Sequence, residues 1–136
     1  MMVRDCCLCL HVQRAARALG RRFDEALRPF QLTNGQFSLL MSLNRPEPPT
    51  IGSVSALLAM DRTTLTANLK PLERRGLAKV SVDAADRRSR RIVLTPAGRS
   101  LLSTALPIWT AEHAAIDARL GGSNADRLRA ELRALS

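Results

Sequence analysis

The spacing of apolar residues predicts helices over most of the chain. Between residues 6 and 28, apolar side chains recur every three or four positions with arginines between them, as expected of a long amphipathic helix. Pro29 ends this helix. Thr33, followed three residues later by Gln36, forms a capping box that begins the next helix. The segment 44–49 contains three prolines and predicts an interruption.

Two further helices are predicted on either side of a tight break. The first has two to three turns, and its apolar face consists of Ile51, Val54, Leu57 and Leu58. Met60 and Asp61 form the break, and Asp61 is a suitable N-cap for a helix over 62–75. The buried stripe of that helix consists of Leu65, Leu69 and Leu72. Gly76 ends it, where a left-handed residue is favoured.

After Gly76 the apolar period changes from 3.6 to 2 residues, which predicts a β-hairpin over 77–95. Its strands cover 78–82 and 91–95, and the loop 83–90 between them is polar and basic. Pro96 begins a long helix at its first position. Two prolines, Pro71 and Pro107, fall inside predicted helices and are expected to bend them. A hinge at the two glycines 121–122 precedes a last short helix with Leu128, Leu132 and Leu135 along one face.

The charge of the chain favours a polyanionic partner. Lys and Arg total 21 against 12 Asp and Glu, which gives a net charge of +9 and a pI near 11.3. This charge suits nucleic acid or an anionic membrane surface. No apolar run approaches the roughly 18 residues of a membrane span, and the N-terminus lacks a secretion signal. We therefore expect a cytoplasmic protein without a membrane partner.

The order helix, tight turn, helix, hairpin predicts a winged helix-turn-helix that binds duplex DNA. With the leucine stripe inward, Thr63, Ala67, Lys70 and Arg74 point outward on helix 62–75, with Arg62 and Thr66 on one flank and Thr64 on the other. Small side chains near the start of the helix permit close approach to base edges, and the cations further along reach phosphates. Aromatic residues, at 3% without tyrosine, are too scarce for the stacking platforms of single-strand binders.

The hairpin loop carries four arginines within five residues: Arg87, Arg88, Arg90 and Arg91. This density suits a loop that follows the phosphate backbone and inserts arginine into a minor groove. Asp86 is expected to orient one of these arginines through a bidentate pair. A merely solvated charge run is the alternative interpretation of the same residues.

Residues 33–98 resemble the DNA-binding lobe of the MarR family of bacterial regulators. The resemblance rests on four stretches: 32–37 (LTNGQF), 61–66 (DRTTLT), 72–77 (LERRGL) and the wing from Asp83 through Asp86-Arg-Arg to Leu94-Thr-Pro-Ala-Gly98. It implies a homodimer that reads a pseudo-palindromic operator. The DNA contacts that it implies, together with the loop arginines, are Arg62, Thr63, Thr64, Thr66, Lys70, Arg87, Arg88 and Arg90.

We therefore predict a mainly α-helical protein with a minor β component, formed as a single domain over 1–136. Its winged helix-turn-helix covers 33–98, and the N- and C-terminal helices, 6–30 and 97–136, provide dimerisation. The apolar stripes of these end helices are broader than one small lobe can cover.

The predicted function is a sequence-specific DNA-binding transcriptional regulator that acts as a repressor. The resemblance implies that a small aromatic effector or cysteine oxidation modulates its affinity for DNA. A non-sequence-specific architectural DNA-binding protein is the alternative. No nucleophile–base pair or phosphate cradle stands out, so we predict no enzymatic activity and no cofactor.

Three cysteines, Cys6, Cys7 and Cys9, lie within four residues. The segment around Cys9 resembles the cysteine position of the organic-hydroperoxide-sensing branch of the MarR family, although this chain has none of the tyrosines of that branch. Cys9 is thus a candidate redox sensor, and an apolar interface residue is the alternative. Cys7 and His11 stand one helical turn apart, but ligands on a single helix do not readily surround a tetrahedral ion, so we predict no metal.

Overall fold

The predicted order of helices and hairpin is present in the computed structural model, which describes residues 2–136. The helices are α1 (Val3–Cys6), α2 (Leu8–Leu27), α3 (Asn34–Ser42), α4 (Ile51–Leu57), α5 (Arg62–Arg74), α6 (Pro96–Leu120) and α7 (Ser123–Ala134). Two antiparallel strands, β1 (Ala78–Val82) and β2 (Arg90–Leu94), form the sheet of the described residues. The predicted mainly α-helical winged fold is confirmed. No helix in the described part of the chain is long and apolar enough to cross a membrane.

The predicted helix over 6–28 is divided near its start. Cys7 adopts an extended conformation, with φ −75° and ψ 109°, and separates α1 from α2. At the other end, a 3₁₀ turn over Arg28–Phe30 follows α2, because Pro29 cannot donate to the helix. Gln31 then adopts a left-handed conformation and reverses the chain toward α3.

Four helices begin at the polar side chains expected of N-caps. The predicted capping box is present: Gln36 N donates to Thr33 Oγ1 at 3.1 Å, and Thr33 N donates to Gln36 Oε1 at 3.0 Å. Thr50 caps α4 by accepting a hydrogen bond from Ser53 N at 3.1 Å, and Asp61 caps α5 as predicted. Thr95 caps α6 rather than ending the returning strand, so the prediction of a strand over 91–95 was one residue too late.

The hydrophobic core lies where α2, α3, α5 and α6 meet the sheet. The predicted leucine stripe of α5 is confirmed, since Leu65, Leu69 and Leu72 are all buried. The prediction that Leu57 belongs to the apolar face of α4 was wrong, because Leu57 is 61% exposed. At 100° per residue it lies about 100° around the helix from Leu58, outside the stripe that packs inward.

The long helix α6 runs from the wing to a turn of two glycines. Pro107 lies inside it, as Pro71 lies inside α5, and both helices continue past their prolines. Gly121 and Gly122 both have positive φ, at 75° and 50°, which suits the predicted hinge between α6 and α7.

Gly98 marks the closest contact between α6 and the chain that follows α5. A Cβ atom at this position would lie 2.2 Å from the carbonyl oxygen of Leu77 and 2.8 Å from Leu94 Cδ1. Thr95 reinforces the junction, since its hydroxyl donates to the carbonyl of Gly76 at 2.6 Å. The start of α6 is therefore held against the base of the hairpin.

We predict that Gly98→Ala lowers the free energy of unfolding by about 2 kcal/mol or more, because backbone must move to admit the methyl group. Gly35→Ala is the matched control, since its Cβ would meet nothing closer than 3.9 Å inside α3. The control should leave stability unchanged or raise it by about 0.5 kcal/mol. Chemical denaturation at one fixed protein concentration measures both, and equal effects of the two substitutions would contradict this packing constraint.

Candidate nucleic-acid interface

The exposed side of α5 is fixed by the leucine stripe on its opposite side. Burial of that stripe turns one set of side chains to the surface, where they line a shallow concavity: Arg62, Thr63, Thr66, Ala67 and Lys70. We call these five residues the α5 face. Four of them were predicted as DNA contacts, and the structure brings those four together.

Thr64 is the predicted contact of α5 that lies apart from this face. Its backbone N–H donates to Asp61 Oδ1 at 2.8 Å, and its hydroxyl lies 3.0 Å from Asp61 Oδ2. These hydrogen bonds lower the pKa of the Asp61 carboxyl below its usual value, with the backbone N–H of Thr64 as the largest cause. An ionised carboxylate at the helix N-terminus also interacts favourably with the helix dipole. The Thr64 hydroxyl is thus part of the cap.

Asp83 organises the wing, which we define as the loop 83–89 with its two strands. Its carboxylate accepts a hydrogen bond from the backbone N–H of Ala85 at 3.1 Å, and Arg91 Nη2 lies 3.2 Å from Asp83 Oδ2. The Ala85 hydrogen bond and then Arg91 lower the pKa of this buried carboxyl. Asp83 was named from the sequence at the start of the wing, but its pairing with Arg91 was not predicted. Its position directly after the predicted strand 78–82 was the signal that could have indicated this role.

The prediction that Asp86 orients an arginine through a bidentate pair was wrong. Asp86 Oδ1 accepts the backbone N–H of Arg88 at 3.0 Å, and the ion pair of the wing joins Asp83 to Arg91. An aspartate two residues before an N–H group reaches it through a short Asx-type turn. Asp86 therefore shapes the loop through the backbone of Arg88.

Arg91 is an anchor of the wing. Besides its pair with Asp83, its guanidinium donates to the carbonyl of Pro48. The backbone N–H of Ile92 donates to the carbonyl of Pro49 at 3.0 Å, and Thr50 forms an isolated bridge with Arg91. These contacts attach the wing to the segment that begins α4.

The other three arginines of the loop are exposed. Arg90 Nη1 donates to the carbonyl of Arg87 at 3.1 Å, which holds the Arg90 side chain along the loop. Arg88 and Arg90 reach the same cleft as two residues of the α5 face, Arg62 and Thr66. Arg87 contributes its backbone carbonyl to this arrangement, and its side chain does not line the cleft.

The first turn of α4 forms the remaining wall of this cleft. Thr50, Ile51 and Gly52 lie opposite the wing, with Asp86 and Ser89 between the arginines. The sequence reasoning missed these α4 residues, and the Thr50 cap was the signal that could have located them. Three guanidiniums around one carboxylate make the cleft electropositive, so it suits a phosphate backbone beside the α5 face.

A second cleft, lined by apolar side chains, lies between α3, α4 and α6. Its walls are Phe37, Ser38, Met41, Ser42, Leu57, Leu58 and Trp109. The indole of Trp109 stacks on Phe37 with ring centroids 5.7 Å apart. The ring of His113 follows at 4.6 Å from Trp109, and its Nδ1 lies 3.6 Å from Asp117 Oδ1.

The three cysteines lie at the junction of α1 and α2. Cys6 and Cys9 are exposed and Cys7 is half-buried, and all three are free thiols. His11 Nδ1 lies 2.8 Å from the carbonyl oxygen of Cys7. No group of three or more His, Cys, Asp and Glu side chains within residues 2–136 is arranged to hold a metal ion.

A model of the MarR family matches residues 32–89, which include α3, α4, α5 and the wing loop. The chain is 36% identical over 97 residues to the HTH-type transcriptional regulator TtmR of Methylorubrum extorquens, an alignment that covers 71% of this chain. That alignment spans half the length of the Methylorubrum protein.

Two solved structures extend the likeness over nearly the whole chain. The Mycobacterium tuberculosis transcriptional regulator MosR, in complex with DNA, is 40% identical and has a TM-score of 0.85, with 95% of this chain and 92% of MosR covered. The transcriptional repressor CouR, known from Rhodococcus jostii RHA1 and bound to a 23-mer DNA duplex, is 29% identical with a TM-score of 0.87, covering 99% and 96%. On this evidence the chain belongs to the MarR family of transcriptional regulators.

Proposed function

We propose that this protein is a sequence-specific regulator of transcription that binds duplex DNA as a homodimer and acts as a repressor. The observation that carries the proposal is the electropositive cleft in which Arg62 and Thr66 of α5 meet Arg88 and Arg90 of the wing. The solved structures of MosR and CouR, both similar to this chain in fold and sequence, contain bound DNA.

The α5 face has the shape and chemistry for a major groove. A groove about 12 Å wide admits a single α-helix, and the first two turns of α5 present Thr63, Thr66 and Ala67 as small exposed side chains. Arg62 and Lys70 flank them with charge. We assign base contacts to the threonines and Arg62, and backbone contacts to Lys70, Arg88 and Arg90, with Arg87 as a more distant charge.

The proposed dimer is supported by apolar side chains that the single chain leaves at its surface. A groove between α2 and α7, which we call the terminal groove, is lined mainly by leucine, valine and alanine: Leu8, Val12, Ala15, Ala16, Leu19, Leu128, Leu132 and Leu135. Leu8 and Leu135 are 66% and 67% exposed. Pairing through the terminal helices over 6–30 and 97–136 would present two lobes, each over 33–98, to a pseudo-palindromic operator.

We also propose that a signal molecule weakens this binding to DNA. The apolar cleft beside Trp109 and Phe37 has flat aromatic walls and two serine hydroxyls, which suit a small aromatic effector with one polar group.

Oxidation of Cys9 is a second proposed way of weakening the binding to DNA. It is supported by the exposure of that thiol near the start of α2.

The central experiment selects a duplex of about 30 base pairs from a randomised pool with the wild-type protein. We expect the selection to enrich a pseudo-palindrome that binds two chains. Random duplex should compete at least about 10³-fold more weakly at fixed salt.

Arg88→Ala should weaken binding to selected and random duplex alike. It should also reduce the slope of log affinity against log salt concentration by about 1 per half-site. Thr66→Ala should instead change the preferred base at one position of each half-site, and it should reduce the binding free energy for the selected duplex by about 1–3 kcal/mol.

Arg4→Ala is the charge-matched control, because Arg4 is exposed on α1, outside both the lobe over 33–98 and the terminal helices over 6–30 and 97–136. It should leave affinity and salt slope nearly unchanged. Equal competition by random duplex would favour an architectural DNA-binding protein, and the proposed regulator would then be wrong. Stoichiometry of one chain per selected duplex would reject the homodimer.

The effector proposal is tested through Trp109, which is the only tryptophan of the chain. We expect salicylate, used as the probe, to change the fluorescence of Trp109 saturably and to release the selected duplex over the same concentration range. Ser38→Phe should abolish both responses by filling the cleft, with little effect on DNA affinity without salicylate. A fluorescence response that survives Ser38→Phe would place the probe elsewhere.

The redox proposal predicts that cumene hydroperoxide releases the selected duplex from wild-type protein and not from Cys9→Ser. Cys6→Ser and Cys7→Ser serve as controls with the same change of atom at neighbouring positions. The oxidised thiol is identified by mass spectrometry of the released protein. Full release from Cys9→Ser by the hydroperoxide would exclude Cys9 as the switch.

A further inference from the structure

Gly52, in the first turn of α4, lies directly beneath the guanidinium of Arg62. A Cβ atom at position 52 would lie 2.9 Å from Arg62 Nη2 and 3.9 Å from Arg62 Cζ. A Cβ atom and a nitrogen atom of a distant residue are essentially never found 2.9 Å apart, so any side chain at 52 displaces this guanidinium. The space that a side chain of residue 52 would fill is occupied by Arg62.

The backbone of α4 does not itself require glycine at this position. Gly52 is absent from the residues with positive φ, and the Cβ of an alanine would meet Thr50 Oγ1 at an ordinary 4.0 Å. Alanine is also the better helix former by about 1 kcal/mol. The conflict is confined to the far end of the Arg62 side chain, which is flexible and therefore moves at little cost to folding.

The orientation of Arg62 matters because this arginine belongs to both surfaces of the candidate interface. It lines the α5 face with Thr63 and Lys70, and it lines the cleft with Arg88 and Arg90. In the described part of the chain, no hydrogen bond or ion pair engages the Arg62 guanidinium. Its donors are therefore available to a ligand, and the position that it occupies requires that residue 52 has no side chain.

We propose that Gly52 is a positioning residue for DNA recognition, and this inference rests on the proposed function above. The missing side chain at 52 lets Arg62 lie along the first turn of α4, between the α5 face and the wing. In that direction the guanidinium of Arg62 places two coplanar N–H donors at the edge of the major groove that α5 would enter. Gly52 thereby influences specificity through the direction of the Arg62 side chain.

A double-mutant cycle on the whole chain of 136 residues tests the proposal with the duplex that the wild-type protein selects. Gly52→Ala should weaken binding to that duplex about tenfold and leave binding to random duplex within about twofold. In an Arg62→Ala background, adding Gly52→Ala should have no further effect, because the displaced group is gone. In an Arg62→Lys background the effect should shrink, since an ammonium on a narrower stem avoids the new methyl group.

Thermal unfolding separates positioning from a structural role. Gly52→Ala should unfold at the wild-type temperature or slightly above it, and Gly35→Ala should match it in stability while leaving DNA affinity unchanged. Additive effects of Gly52→Ala and Arg62→Ala, or unchanged affinity of Gly52→Ala for the selected duplex, would overturn the inference. Wild-type protein that enriches no duplex would instead refute the proposed function, and this inference would fall with it.

Discussion

Burial of Leu65, Leu69 and Leu72 fixes the rotation of α5 about its own axis, and the whole candidate interface depends on that rotation. Each leucine is 0–1% exposed, so a turn of the helix by even one residue, 100°, would bring apolar side chains to water. The same rotation places Thr63, Thr66 and Lys70 on the opposite side. Close packing of a core stripe is thus what orients polar side chains that make no contact with the core.

The wing depends on a second constraint, which is electrostatic. Arg91 joins the Asp83 carboxylate to the carbonyl of Pro48, so one guanidinium links the hairpin to the segment before α4. Arg91 is used in this way, whereas Arg88 and Arg90 line the cleft. The repulsion among these cations is relieved when an anion enters, which favours a partner rich in phosphate.

Local signals made most of the fold predictable from the sequence. The Thr33–Gln36 box, the Asp61 cap, the leucine stripe and Gly76 each act within a few residues, and each is present in the structure. Small local errors remained at Cys7, at Leu57 and at the end of β2, whereas two features of the candidate interface depend on distant residues. The choice of Asp83 over Asp86 as the partner of Arg91 follows from strand register, which pairs Val82 with Arg90. The close approach of Gly52 and Arg62 follows from the packing of α4 on α5, and the spacing of apolar and polar residues around Gly52 does not indicate it.

The position of Trp109 offers a physical link between the proposed effector cleft and the wing. Trp109 lies on α6 and stacks on Phe37 of α3, while the first residues of α6 are pinned by Thr95 and Gly98 to the base of the hairpin. In the proposed mechanism, a displacement of α6 against α3 would also move the hairpin relative to α5, because Gly98 lies in close contact with Leu77 and Leu94. A molecule in the cleft beside Trp109 changes DNA affinity only as far as it binds the two arrangements of α6 unequally. A 100-fold ratio between its affinities for the two arrangements corresponds to ~2.7 kcal/mol. Burial of one aromatic ring in an apolar cleft can supply a free energy of this size.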